Sequence, residues 1–446
     1  MPELRVCVCT WNVATLDPPP KILEDMIWLH TAHAPDIYAF GLQEVSSKPH
    51  EYVQSAFIDD PWTEQIARVV CSRGYVQVSS IRLQGILLLL YARMLHLPFL
   101  RNIQTDFTRT GLGGAWGNKG GVSIRMDCYG RSLCIVNVHF AAHADQWEIR
   151  DKEYHTITAT QEFPDCSTSR ILDHDYVLWF GDMNYRFEDI SREVIKFHSS
   201  PGKLNKLIEK DQLYLSMKMG KCFDGFTEEK IAFMPTYKYD LQTNTYDTSE
   251  KQRPPAWTDR TLWRVNTNRL GEPKDYYIKQ IAYKAHNDVL WSDHKPVSAE
   301  FCIQVCMDDA EALVTFDPVE TWRRGDDVSI SYTVVGDTRT STWDWIGLYK
   351  VGFQNAAKDA ETYIWSVPQG ETKGESGCKT KFTARYLPED TCTKYVLCYY
   401  SKTMNCVLGI SNVFRILPSQ EEENDMKFRA DQVENAMPVE ASAATI

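Results

Sequence analysis

Between residue 4 and about residue 305, short apolar runs alternate with amphipathic stretches. The runs are Leu4–Cys9, Ile37–Leu42, Ile81–Tyr91, Gly121–Met126, Leu133–His139, Tyr176–Phe180 and Val297–Val305. Their lengths and β-branched content predict strands. Asp127–Arg131, with Tyr129-Gly130 inside it, predicts a turn joining two of them. Helical spacing marks Ile22–His30, Glu148–Phe163 and Leu204–Met219, and Pro18–Pro20 precede the first of these. Proline is tolerated in a helix's opening turn. The alternation predicts an α/β fold of two or four layers, with sheets buried between helices. Near residue 306 the pattern changes. From Ala310 to Leu417 there is little helical periodicity, while Asp327–Val335, Trp345–Val351 and Lys394–Tyr400 alternate as strands do. A small all-β sandwich is expected there. Beyond Ser419, Glu421, Glu422, Glu423, Asp425, Asp431, Glu434 and Glu440 outweigh Lys427 and Arg429, which predicts an acidic, disordered tail. The expected domains are therefore 4–306, 310–417 and a tail over 418–446.

Composition narrows the function classes. The chain has 446 residues, 43% hydrophobic and 24% charged, which excludes wholesale disorder and a collagen-like fibre. Its 48 basic against 60 acidic side chains leave a net charge of −12. Coating nucleic acid needs a basic field, so no nucleic-acid partner is expected. An anionic substrate would need basic groups gathered locally. The 13 cysteines are odd in number and scattered without a C-x-x-C pair, which argues against a disulfide framework or zinc ribbon. Cys134, Cys302 and Cys398 lie in apolar runs and read as reduced core residues of a cytosolic protein. Met1–Cys9 lacks the pattern of a secretory leader. The longest apolar run, Ile86–Ala92, is too short to span a bilayer, so membrane contact is expected to be peripheral.

The candidate chemistry lies in polar clusters at strand ends, where α/β folds place their sites. These are Trp11-Asn12-Val13, Gly41-Leu42-Gln43-Glu44, Gly117–Gly121, Asn137-Val138-His139, Gly181-Asp182-Met183-Asn184 and Trp291-Ser292-Asp293-His294. Pro255–Arg260 (PAWTDR) is a seventh, expected in a loop. Singly, each has a bland reading: Glu44 as a helix cap, Asp182 with Asn184 as an Asx turn, His139 as a core histidine. Jointly they supply carboxylates, carboxamides and two histidines with no clustered thiol. Oxygen-rich donors suit Mg²⁺ better than zinc, and metal-assisted hydrolysis of a phosphate ester uses such a set.

The ordered set WNV, GLQE, GNKGG, NVHF, GDMNYR, PAWTDR and SDHKPV resembles the inositol polyphosphate 5-phosphatases over Leu4 to Val305. Gly181–Arg186 and Pro255–Arg260 are its most specific parts. The stretches Trp343–Gly352 and Leu397–Tyr400 resemble the SKICH domain. That pairing points to the SKICH-bearing members, the skeletal-muscle-and-kidney-enriched and proline-rich enzymes. The resemblance implies an endonuclease/exonuclease/phosphatase (DNase-I-like) four-layer β-sandwich flanked by helices, followed by an immunoglobulin-like sandwich. It implies Mg²⁺ held by Glu44 and Asn12 with support from Asp293. Asp182 would orient and deprotonate the attacking water, and Asn184 would hold the phosphoryl oxygens. His294, oriented by Asp259, and His139 would donate to the developing charge. Tyr237, Lys238, Lys251 and Arg253 resemble a clamp for a 4-phosphate. Arg150, Lys152, Lys119 and Asn118 would face the 1-phosphate end. Leu112 and Trp116 would contact the lipid.

By the same resemblance the substrates are membrane phosphoinositides bearing 4,5- or 3,4,5-phosphates, and the SKICH domain binds protein partners. The catalytic unit is expected to act as a monomer. The expected location is the cytoplasm, with recruitment to plasma-membrane ruffles or the endoplasmic reticulum. A DNase-like nuclease is the rival on the same fold, disfavoured because it would need an extended basic groove. A non-catalytic adaptor is disfavoured because every catalytic polar residue is present.

Overall fold

The computed structural model describes residues 3–19, 34–46, 60–114, 116–164, 168–199, 202–270, 276–306, 310–336, 338, 340–366 and 376–436. The chain divides into two compact units, Met1–Glu311 with Met404–Cys406, and Ala312–Thr403 with Val407–Ile446.

The first unit holds strands β1 (Glu3–Asn12), β2 (Ile37–Gln43), β3 (Tyr75–Leu83), β4 (Ile86–Arg93), β5 (Leu100–Gly111), β6 (Trp116–Cys128), β7 (Arg131–His139), β8 (Tyr176–Asp182), β9 (Asp259–Val265), β10 (Ile278–Ala285) and β11 (Val297–Gln304). They form a six-stranded sheet in the order β10-β11-β1-β2-β4-β3 and a five-stranded sheet β5-β6-β7-β8-β9. The main helices are α1 (Pro61–Cys71), α2 (Trp147–Thr160), α3 (Arg192–His198), α4 (Asn205–Ile208) and α5 (Gln212–Lys218).

Strand alternation sorts the side chains between layers. Cys7, Cys9 and Trp11 point from β1 into a cluster with Trp62, Ile66 and Val70 of α1. Val136, Val138, Val177 and Trp179 pack on Tyr154 and Ile157 of α2. The opposite faces meet between the sheets. A methyl placed on Gly41 would lie 2.4 Å from the Phe180 ring and 2.6 Å from Asn137. The order is helix, sheet, sheet, helix, as the resemblance implied.

A polar bolt crosses this interface. Asn137 Nδ2 donates to Leu42 O and Leu87 O at 3.2 and 2.9 Å, and Gln43 Nε2 donates to Asn137 Oδ1 at 2.7 Å. All are fully buried, so unmade bonds there would be costly. Gln43 immediately precedes Glu44, and Asn137 lies two residues before His139. The bolt therefore registers two site residues of different sheets.

Several sequence expectations need correction. Ile81–Tyr91 is not one strand: Gln84, with φ +49°, turns the chain so that Leu83 of β3 faces Ile86 of β4. Leu204–Met219 is two helices, because Asp211 caps α5 by accepting from Tyr214 N at 3.0 Å. Asp259 and Arg260 open β9 instead of lying in a loop. The predicted helix Ile22–His30 lies outside the described residues. Strands β5 and β10 end their sheets and carry many exposed polar residues, so they lack an apolar signature. Among the described residues, no helix is long and apolar enough to cross a membrane.

The second unit pairs a three-stranded sheet with a larger antiparallel one built around Trp345–Lys350 and Lys394–Ser401. Trp345, Tyr363 and Trp365 share one face of the larger sheet, and Tyr363 and Trp365 are about half exposed. The tail is not disordered throughout: Gln420–Ala436 forms helix α6. Ser419 Oγ accepts from Glu422 N at 3.2 Å and Glu422 Oε2 accepts from Ser419 N at 2.8 Å, a reciprocal cap. Arg323 pairs with Glu423 at 3.0 Å, and Arg324 pairs with Glu422. The acidic first turn thus suits a helix N-terminus.

A buried histidine gives the first unit an acid sensitivity. His174 Nε2 accepts from Arg125 Nε at 3.2 Å, while Nδ1 lies 3.0 Å from Arg170 O and so carries the proton. Burial and then the Arg125 charge lower its pKa from 6.5 to about 4. The unfolded chain takes up this proton below pH 6.5 but the native state resists until about 4, so stability falls as pH drops through that window. The loss is about 3 kcal/mol at 1.4 kcal/mol per unit. Urea midpoints at pH 7 and pH 4.5 should differ by less in His174→Gln than in the native chain.

Candidate active site

The clusters converge at one end of the sheet pair. β1 and β2 run parallel and end together at Asn12 and Gln43, while β7 and β8 run parallel and end at His139 and Asp182. β9 runs back along β8 with Asp259 opposite Asp182. Gly181 makes the close approach of β8 to β7 possible. Its φ is +145°, and a Cβ there would sit 2.1 Å from Val138 O.

Asp182 is at the centre. Its Oδ2 accepts from Asn12 Nδ2 at 3.0 Å and lies 3.4 Å from His139 Nε2 and 4.0 Å from His294 Nε2. Its Oδ1 accepts from Asn184 N at 3.1 Å. Burial opposes the charge, but the bond to His139 and the nearby positive charges outweigh it and hold the carboxyl well below its usual range. Asp182 is an anion throughout neutral pH. Asn12 Nδ2 also donates to Glu44 Oε1 at 3.1 Å. Glu44 and Asn184 both have φ +56°. Asparagine tolerates this region, but glutamate rarely enters it, and such strain concentrates at functional sites.

The two histidines are in opposite states. His294 Nδ1 bonds Asp259 Oδ2 at 3.0 Å. Burial would lower its pKa, but Asp259 and then Asp182 push it up to about 9, so it is an imidazolium. His139 Nε2 contacts Lys119 Nζ. Burial and the Lys119 charge keep it below 6.5 against the pull of Asp182, so it is neutral. Burial also lowers Lys119, with Asp182 and Glu44 opposing.

Glu44 is the group best placed to hold a divalent ion. Its carboxylate is 42% exposed and lies beside the Asn12 carboxamide. Hard oxygen donors open to water fit Mg²⁺, which keeps much of its hydration. Asp182, Asp259 and His294 also bring ligand atoms within 4.8 Å of one another. A protonated imidazole already bonded to Asp259 does not bind a cation, so that trio fits less well. Asp293 is salt-bridged to Lys238, so its carboxylate carries that partner as well as any support for the metal.

Among the residues expected to hold substrate, the placements differ. Tyr237 packs its ring 4.4 Å from that of His294. Tyr237 and Arg253 line a cleft of about 230 Å³ that also includes Arg186 and His143. Lys251, Asn118 and Lys152 are exposed. Trp116 is 54% exposed, as a lipid-contacting residue requires, whereas the Leu112 side chain lies outside the described ones. Arg150 needs correction. It is fully buried, donating to Ala141 O, His143 O and Gln212 Oε1, so it braces the loop after His139 and is not available to a phosphate.

Sequence reasoning missed Arg186 as a site residue. It donates to Asn184 Oδ1, and its guanidinium lies 4.4 Å from the centre of the Tyr237 ring. Its place at the end of GDMNYR was the available signal. Asn184 Nδ2 donates to Phe140 O at 3.0 Å, which leaves its second amide hydrogen for a ligand.

The comparisons agree with this geometry. Residues 9–300 match the Endonuclease/Exonuclease/phosphatase family 2 model, and residues 314–416 match the SKICH domain model. The chain is 40% identical over 430 residues to mouse phosphatidylinositol 4,5-bisphosphate 5-phosphatase A, covering 94% of this chain and 42% of that protein. It thus spans under half the length of that relative. Mouse inositol polyphosphate 5-phosphatase K is 36% identical over 422 residues, covering 93% of this chain and 90% of that protein. Among solved structures, the 5-phosphatase domain of SpSynaptojanin, in complex with inositol (1,4)-bisphosphate and calcium ion, matches at TM-score 0.59 and 32% identity. That match covers 69% of this chain and 87% of that one. Cimex nitrophorin, as a ferrous NO complex, matches at TM-score 0.54 and 22% identity over 68% of this chain and 99% of that one, and shares the fold alone.

Proposed function

Because the chain belongs to the inositol polyphosphate 5-phosphatase family and carries a SKICH domain, we propose that it is a Mg²⁺-dependent phosphoinositide 5-phosphatase. It removes the 5-phosphate from phosphatidylinositol 4,5-bisphosphate and 3,4,5-trisphosphate, with soluble inositol polyphosphates as a further substrate class. The observation that carries this reading is Asp182 standing between a neutral and a protonated histidine, beside Glu44 and Asn12.

In this reading Asp182 holds the attacking water by its carboxylate and takes its proton as the new P–O bond forms. Water attacks phosphorus in line, without a covalent intermediate. His294, aimed by Asp259, donates from Nε2 to the scissile phosphate, and the His139–Lys119 pair adds a second donor to the developing charge. Asn184 holds a phosphoryl oxygen through its remaining amide hydrogen. Glu44 and Asn12 hold Mg²⁺, which when bound polarises the phosphoryl group and steadies the leaving oxygen. Arg253, Tyr237 and Lys238 receive the 4-phosphate, with Lys251 closing from its exposed loop.

Location and partners belong to the same reading. The chain works in the cytoplasm and is recruited to plasma-membrane ruffles or the endoplasmic reticulum, with Trp116 at the lipid boundary. Partners bind the SKICH domain, whose half-exposed Tyr363 and Trp365 offer aromatic anchors.

A phosphate-release panel tests the proposal. Short-chain phosphatidylinositol 4,5-bisphosphate should be hydrolysed, EDTA should abolish release, and Mg²⁺ should restore it, with no nicking of duplex DNA. Nicking without phosphate release would replace this function with the nuclease. The same panel reads the clamp. Charge-assisted contacts contribute roughly 1.5–3 kcal/mol each, so Lys238→Ala with Lys251→Ala should lower kcat/KM about 10²-fold on 4,5-bisphosphates. A ring phosphorylated at position 5 but not 4 should be affected far less, and equal losses on both would remove the clamp.

A further inference from the structure

Asp259 is held by more than its histidine. Its Oδ2 accepts from Thr236 Oγ1 at 2.6 Å and from Thr258 Oγ1 at 2.8 Å, in addition to His294 Nδ1 at 3.0 Å. All four side chains are buried, the threonines and Asp259 completely. A carboxylate can only accept here, so both hydroxyls must donate to it. Thr258 Oγ1 also lies 3.4 Å from His294 Nδ1.

Thr236 reaches Asp259 from a different segment. Tyr237 and Ala256 exchange backbone bonds at 3.3 and 2.8 Å, Lys295 N donates to Thr236 O at 2.9 Å, and Tyr239 N donates to Asp293 O at 2.9 Å. Residues 236–239 therefore run as a short extended rail between Ala256 on one side and residues 293–295 on the other. The same rail carries Tyr237, whose ring packs on His294, and Lys238.

We propose that Thr236 and Thr258 are positioning residues whose two hydroxyls fix the rotation of the Asp259 carboxylate and thereby aim His294. With Oδ2 occupied from two directions, the carboxylate cannot pivot. The His294 ring then has one hydrogen-bonded orientation, with Nε2 on the Asp182 side. Thr236 additionally ties this aim to the rail that carries Tyr237 and Lys238, so a shift of the rail is felt at His294. This rests on the proposed phosphatase reading for its kinetic consequence but not for its geometric one.

The test uses the full chain with Thr236→Val and Thr258→Val, which keep the side-chain volume and remove the hydroxyl, and Thr236→Ser and Thr258→Ser, which keep the hydroxyl. Supporting groups of this kind typically account for 10- to 100-fold in activity. Each valine variant should lose about that much kcat on short-chain phosphatidylinositol 4,5-bisphosphate with KM changed less than about twofold, and each serine variant should stay within about threefold of wild type. An equal loss in the Ser and Val variants would assign the effect to methyl packing and overturn the proposal. So would unchanged kcat in folded valine variants.

A second readout does not need turnover. In ¹⁵N-histidine-labelled protein, the His294 Nδ1 proton, assigned by its disappearance in His294→Gln, should resonate downfield and sharp in wild type. It should broaden or move in the valine variants and return in the serine variants. An inactive wild type showing this pattern would overturn the phosphatase reading and leave the positioning intact. An unaltered resonance in both valine variants would overturn the positioning whatever the activity.

Discussion

Replacing Asp182 with Ala should reduce kcat by on the order of 10²–10⁴-fold, the usual loss when a proton-accepting group is removed, while far-UV circular dichroism remains that of the native chain. The geometry sets the size. Asp182 is the carboxylate approached by Asn12, His139 and His294 together, so no neighbour can take over its position. Its strongly lowered pKa refines its role. A carboxylate so well stabilised by nearby positive groups is a weak base before reaction, and it accepts the proton only as the water's oxygen commits to phosphorus. Asp182→Asn separates the two duties. It keeps an acceptor oxygen to orient water but cannot take a proton, so it should lie near Ala in kcat while retaining more of the substrate affinity. An Ala variant keeping more than about a tenth of wild-type kcat would remove Asp182 from the centre of the mechanism.

Much of this site was legible because its residues are tied to strand ends. Asn12, Glu44, His139 and Asp182 each close an apolar run that reads clearly as a strand, so their convergence follows from parallel pairing of neighbouring strands. What the pattern could not show was orientation within a helix. Arg150 and Lys152 lie two residues apart on α2, yet the first faces the interior and the second faces solvent. Helical periodicity is weak there because the buried face carries Arg150, Asp151 and Glu153. The split of 204–219 at Asp211 was hidden for a related reason. The aspartate that breaks the helix is held by Arg260, far away in sequence. The threonines around Asp259 were invisible because a hydroxyl's partner is set by tertiary packing. The acidic tail read as disordered because its stabilising arginines, Arg323 and Arg324, lie almost a hundred residues earlier.

Arg260 adjoins Asp259 in the same motif, and its substitution should have the opposite signature: a collapse of stability with the site chemistry retained. Its guanidinium donates to both oxygens of Asp211 at 2.8 and 3.0 Å and to Glu228 at 2.7 and 2.5 Å. Arg260 and Asp211 are about 1% exposed. Arg260→Met would leave two buried carboxylates without their cation. Removing one member of a buried ion pair costs about 3–5 kcal/mol, because the remaining charge is desolvated and unpaired. Burial already raises the Glu228 pKa, so that carboxyl would relieve part of the cost by taking up a proton. Asp211 also caps α5, so the damage should spread to that helix. For a unit of this size the loss corresponds to a fall in Tm of roughly 10 °C. Measured at 15 °C, where the variant is still folded, kcat/KM should stay within a few-fold of wild type, since Arg260 touches neither Asp182 nor His294. Adding Asp211→Asn and Glu228→Gln to Arg260→Met should recover part of the melting temperature, because the two neutral carboxamides no longer need a counter-charge and Asn still caps α5. A variant that melts within about 2 °C of wild type but has lost turnover would show instead that the arginine of PAWTDR serves the substrate and that its bonds to Asp211 and Glu228 are incidental.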